Sequence, residues 1–371
     1  VSEAPGTPES DHPTAPLLQA AAGREPDRVP VWFMRQAGRS LPEYRRVREG
    51  ISMLDSCARP ELVTEITLQP VRRYDVDAAI FYSDIMVPLK AIGVDLDIVP
   101  GTGPVIAEPI RDERGLAQLR DVAEGDLDHI TAAVQMLVAE LGPVPLIGFC
   151  GAPFTLASYL VEGGPSKDYA RTKAMMVGAP RLWQELMERL ARITTAFLRT
   201  QVEAGARAAQ LFDSWAGSLS VADYRASVMP YSAAVLGGIA DLGVPRIHFG
   251  VGTGELLVSM VEAGADVIGV DWRIPLDVAA GRVRAAREDV GPVVVQGNLD
   301  PALLGAPWPV LAERVREVLR AGGRVPGHVF NLGHGVPPTA DPDTLARVVE
   351  LVHAEGRSLR SAGGVPAVSV S

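Results

Sequence analysis

Eight short apolar runs, each closed by polar or glycine residues, recur along positions 30–333 with longer segments between them. They fall at 30–36, 78–84 (AAIFYSD), 145–151 (PLIGFCG), 208–214, 245–250 (PRIHFG), 266–272 (DVIGVDW), 292–297 (PVVVQG) and 328–333. Runs of this length, rich in β-branched and aromatic residues, read as buried strands, and their alternation with helical patterns is the mark of βαβ units. In the intervening segments Leu182, Leu186, Leu190, Ile193 and Phe197 recur at helical spacing behind Pro180, and Leu311, Val315 and Leu319 repeat the stripe. Eight strands with helices between them fit a closed (β/α)8 barrel, a single-domain TIM barrel, better than an open doubly wound sheet. Residues 94–110, with PGTGP at their centre, read as a β-hairpin after the second strand, and Pro70 is expected to kink a helix that starts near Pro60.

A barrel places its working groups at the carboxyl ends of its strands. Arg35, Gln36, Asp84, Gly151, Ser214, Gly250, Asp271, Asn298 and His334 all stand at such ends. The first of them is the richest. Residues 31–48, VWFMRQAGRSLPEYRRVR, carry five arginines within fourteen positions. Arg stays charged, and its planar fork matches carboxylate or phosphate. Arg35 and Arg39 flank Gly38 directly after an apolar run and suit a multiply anionic ligand, whereas Arg45 and Arg46 read as ordinary solvated residues.

Charge and cysteine content bound the rest. A formal net charge of −10 disfavours nucleic acid and anionic membrane surfaces, so arginines would have to reverse the field locally. Cys57 and Cys150 form no framework, which points to a reducing cytoplasm. No apolar run reaches about 18 residues, and the start shows no charged region ahead of an apolar one, so a soluble, unexported protein is expected. Positions 1–15, with three prolines, and 358–371 are expected to be loose tails around a catalytic domain at 16–357.

Several side chains admit two readings. Asp84 either meets ligand N–H groups and developing positive charge or caps the following helix. Tyr159 offers its hydroxyl to a carboxylate or is a half-buried core tyrosine. Ser214 lacks the nucleophile elbow and reads as a hydroxyl donor. His334, in a glycine-bracketed loop, is an acid/base or carboxylate donor, a metal ligand or a plain loop residue, and the histidine spacing disfavours the metal. GVGTGE at 250–255 is only a weak match to a phosphate loop and reads as a turn.

Together MRQAGRSLPEYR (34–45), YSDI (82–85), GFCGAPFTLASYLVEGG (148–164), LFDSWAG (211–217) and NLGHG (331–335) resemble the uroporphyrinogen decarboxylase family, in the family's order and across roughly 16–356. The resemblance implies a (β/α)8 barrel, a cytoplasmic homodimer with facing clefts, and no metal or organic cofactor. It implies loss of CO2 from the four acetate arms of uroporphyrinogen III to give coproporphyrinogen III. The substrate contacts it carries over are Arg35, Gln36, Ala37, Gly38, Arg39, Asp84, Tyr159, Ser214 and His334, with Arg48 a further candidate. Ser40 stands where the family commonly has an aromatic residue.

The chemistry of these residue types agrees. A protonated pyrrole carbon gives an iminium-like cation that accepts the electrons released as an acetate arm departs, so the substrate is its own electron sink. Asp84 would stabilise that cation and the arginines would clamp carboxylates. One rival is a corrinoid-linked methyltransferase of the same barrel superfamily, which typically needs zinc on His and Cys; the other is a porphyrin-binding carrier without catalysis.

Overall fold

The computed structural model describes residues 15–287 and 291–362. Its centre is a parallel sheet whose strands follow chain order: β1 (Ala79–Ile80), then, beyond a two-stranded excursion, β4 (Leu146–Gly151), β5 (Ala208–Phe212), β6 (Arg246–Phe249), β7 (Val267–Gly269), β8 (Val294–Leu299) and β9 (Gly327–Leu332). The excursion is β2 (Leu96–Val99) against antiparallel β3 (Gly103–Ile106), with Val99 opposite Gly103. Gly101 and Gly103 both take positive φ there, which is why the expected hairpin carries glycine at its tip. Every residue of β4, β8 and β9 is buried, as a parallel sheet covered on both faces requires, and this explains the unbroken apolar runs.

The sheet is curled. Gln296 on β8 donates to Gln210 on β5 at 2.9 Å and accepts from the Trp32 indole at 3.1 Å. In a flat sheet β5 and β8, three strands apart, would lie about 14 Å from each other, too far for two glutamine side chains to bond. Curvature brings them together across the concave face.

Seven of the eight expected strands are present in this sheet; the first run contributes only a bridge, Val31 to Phe330. The cause is local competition for its N–H groups. Phe33 N donates to Gln36 Oε1 at 3.0 Å and Met34 N to Asn331 Oδ1 at 3.0 Å, so side-chain oxygens replace a ladder. Val31 still touches both edges: Phe330 N donates to Pro30 O at 2.8 Å, and Asp77 N, just before β1, donates to Val31 O at 2.8 Å. β1 is shortened in the same way, because Tyr82 N turns to the Thr67 hydroxyl at 3.1 Å.

Helices cover the outer face. Pro180–Glu203 buries Leu182, Leu186, Leu190, Ile193 and Phe197, and Trp308–Gly322 buries Leu311, Val315 and Leu319, as their spacing predicts. Pro60–Tyr74 runs through Pro70 as one helix. Of the expected tails, 1–14 and 363–371 lie outside the described residues, and the last helix is Pro342–Ala362. No helix among the described residues is long and apolar enough to cross a membrane.

Candidate active site

Arg35 is where the chain leaves the sheet. Its φ of 59° is a left-handed conformation uncommon outside glycine, and it throws the side chain across the loop that follows β9. A Cβ placed on Gly335 would sit 2.6 Å from Arg35 Cδ and 2.9 Å from Cγ, so glycine there is what lets the guanidinium stem lie flat. A Cβ on Gly333 would stand 2.4 Å from Trp272 N. The 333–335 loop is therefore pressed between Arg35 on one side and the 271–273 turn on the other, with His334 at its centre.

His334 is half-buried. Burial pushes its imidazole below the ordinary range, the charges of Arg35 and Arg273 push the same way, and Asp271 and the Gly335 backbone oppose them. Near neutral pH it is uncharged, with one nitrogen to donate and one to accept.

Asp84 follows β1. Its Oδ1 accepts from Met86 N at 2.9 Å, an Asx turn two residues on, while the Val87–Ala91 helix has no side-chain cap. The capping reading is thus not the one realised. Burial raises the Asp84 pKa above the usual carboxylate value, against the hydrogen bond from Met86 and the charge of Arg35. Tyr159, half-buried on the Pro153–Glu162 helix, is pushed up to about 12 by burial and then by Asp84, with Arg35 opposing. One guanidinium, Arg35, thus acts on Asp84, Tyr159 and His334 together.

Ser214 lies after β5, half-buried, beside Trp215, whose ring meets Tyr159 edge-on at 5.9 Å. Arg39 is exposed on the arginine turn, and Ala37 and Gly38 are half-buried there. Two predicted residues face inward. Gln36 is 0% exposed, its oxygen taken by Phe33 N and its amide nitrogen donated to Ala78 O at 3.1 Å, so its side chain clamps the turn to the sheet. Arg48 donates to Ser56 Oγ at 2.8 Å, Tyr44 OH at 3.3 Å and Tyr82 OH, behind Cys57, whose thiol is held protonated by burial and by Asp84. Ser40 is buried, its hydroxyl without a partner among the described residues.

Sequence reasoning did not single out Asp213. Its Oδ1 accepts from the Thr155 hydroxyl at 3.2 Å, and Trp215 N donates to the same hydroxyl at 3.4 Å, tying the Tyr159 helix to the Ser214 loop. His248 Nε2 stands 3.6 Å from the other oxygen, both side chains fully buried. Asp213 was visible only as the neighbour of Ser214. Arg273 was likewise missed, one arginine among many.

Among the described residues no group of three or more His, Cys, Asp or Glu side chains is arranged to hold a metal. The rim combines fixed positive charge, hydroxyl and imidazole donors and one under-bonded carboxylate. That set can grip a polyanion by its edges while meeting N–H groups at its centre.

A family model described as Uroporphyrinogen decarboxylase (URO-D) matches residues 12–355. A protein of that name from Streptomyces avermitilis is 62% identical over 352 residues, covering 94% of this chain and 98% of its own length. Another from Streptomyces griseus subsp. griseus is 65% identical over 334 residues, 90% of each chain. Among solved structures, a methyltransferase from Methanosarcina mazei superposes with a TM-score of 0.74 at 19% identity, over 91% of this chain and 97% of its own, a likeness of fold alone.

Proposed function

The chain belongs to the uroporphyrinogen decarboxylase family, and on that premise we propose how the rim carries out the reaction. The enzyme is a carboxy-lyase. Each acetate arm, –CH2–COO⁻, takes up one proton and loses CO2, leaving a methyl group on the ring; four such steps turn uroporphyrinogen III into coproporphyrinogen III. Arg35 and Arg39 clamp carboxylates of the arms, with Tyr159, Ser214 and His334 donating around the rim and the 36–38 backbone lining the turn. Arg48 supports the wall behind Asp84.

Asp84 is the catalytic residue in this reading. It has one backbone donor and capacity to spare, so pyrrole N–H groups complete its bonding, and its charge stabilises the ring cation formed when a pyrrole carbon is protonated. Electrons from the breaking C–C bond then neutralise that cation and leave an exocyclic methylene, which takes a proton to become the methyl group as the ring carbon gives its own proton up. The observation that carries the proposal is the lie of the Arg35 stem along Gly335, beside His334, from where its charge also reaches Asp84 and Tyr159.

The sheet forms most of a closed (β/α)8 barrel, a single domain at 16–357, supported by the bonds from residues 30–31 to both edges. The enzyme works as a cytoplasmic homodimer; the free, buried Cys57 and Cys150 support a reducing compartment, and sedimentation tests the dimer.

The test is CO2 release from uroporphyrinogen under anaerobic, reducing conditions. Turnover with the intact chain, and at least about tenfold weaker substrate capture by Arg35→Ala, is expected. Binding without CO2 release would instead establish a carrier.

A further inference from the structure

Across the mouth from Arg35 a second guanidinium is built into the rim, and we infer that Arg273 binds a carboxylate arm of the same ligand from the far side of His334. The inference rests on the decarboxylase reading of the site and adds a specificity-determining residue to it.

Placement comes from packing. Gly335 lies under the Arg35 stem and Gly333 under the Trp272 backbone, so the 333–335 loop is a spacer one residue deep on either side of His334. Arg273 leaves the turn that presses on Gly333. Its charge and that of Arg35 both act on the His334 ring.

Arg273 is also held ready. Its guanidinium lies over the Trp272 ring at 4.1 Å, and its Nη1 donates to Asp271 Oδ2. Asp271 is fixed in turn by Gly252 N at 2.6 Å and Arg273 N at 3.1 Å. A side chain stacked and tethered in this way loses little freedom when it binds. It nevertheless remains 50% exposed, and Nη1 is the only guanidinium nitrogen with a hydrogen-bonding partner among the described residues. Neutralising Asp271 does not need the remaining N–H groups. A planar carboxylate carried on a flexible arm is the ligand whose two oxygens match them.

The alternative is that Arg273 only pins its own turn. Arg273→Gln and Arg273→Lys separate the two, with thermal midpoints confirming that both fold. We expect Arg273→Gln to raise KM about tenfold with kcat within about twofold, and to weaken an eight-carboxylate porphyrin by the same factor. A porphyrin with every carboxylate esterified should be unaffected, and Arg273→Lys should restore part of the loss, since lysine keeps the charge without the fork. Unchanged KM and analogue affinity in Arg273→Gln, with Arg35→Ala still weakening both, overturns the inference and leaves the decarboxylase reading intact. Equal weakening of the ester also overturns it, because carboxylate recognition is then not involved. Absence of CO2 release from the unaltered chain would instead remove the reading beneath it.

Discussion

Two carboxylates end strand-like runs at this mouth, and they live in opposite circumstances. Asp271, beyond β7, receives Gly252 N, Arg273 N and the Arg273 guanidinium. Asp84, beyond β1, receives Met86 N, and burial raises its pKa against the pull of Arg35. The first acid has its bonding met by its own chain and serves as a brace. The second is half-buried with a single backbone donor, so burial weighs on its charge with less compensation and an acceptor is left for a ligand to complete. An acid at a strand end is thus read by what already satisfies it.

The sharpest way to break this contrast is to neutralise each acid in turn. Asp84→Asn should lower kcat by about 10²-fold or more while the protein still folds and binds porphyrinogen. A rise in thermal midpoint at pH 7 should accompany it. Because the folded-state pKa of Asp84 is raised, the ionised group costs stability as pH climbs from the unfolded value through the folded one. The gain from asparagine should therefore be present at pH 7 and vanish below the usual carboxylate range. Near-normal turnover in Asp84→Asn would end the mechanistic assignment.

A smaller effect is expected where the clamping arginine is displaced and not removed. Gly335→Ala puts a methyl group into the Arg35 stem, so the guanidinium must move; KM should rise about tenfold with a lesser change in kcat. An unchanged KM would mean that the resting position of Arg35 is immaterial. Asp271→Asn should have the smallest effect, a rise of about threefold in KM with kcat nearly unchanged, since the single amide oxygen can still accept from Gly252 N or from Arg273 N, though not from both, and Arg273 is held less firmly. A loss equal to that of Asp84→Asn would erase the distinction between the two acids.

What could be read in advance follows the range of the forces involved. Strand positions were legible because both faces of the sheet are covered, which imposes unbroken apolar runs on β4, β8 and β9. The hairpin tip was legible because positive φ selects glycine at 101 and 103. Arg35, Asp84, Tyr159 and His334 could be nominated by their places after such runs, and the family motifs named the same residues. Gln36 and Arg48 carried the same motif signal as Arg35, yet nothing in a motif says which way a side chain turns.

By itself, then, the sequence determined the order of elements, the family and the residue types available at the carboxyl edge, because periodicity and motif identity are local properties. Only the tertiary structure decided that the first run is a bridge and not a full strand, since Asn331, from the far end of the chain, claims the Met34 N–H. It alone separated Asp271, bonded three times by its own chain, from Asp84, bonded once, and set the Arg35 stem and the 271–273 turn on the two ends of the 333–335 loop. Hydrogen-bond satisfaction and desolvation depend on which distant segments the fold brings into contact, and one-dimensional spacing does not record that.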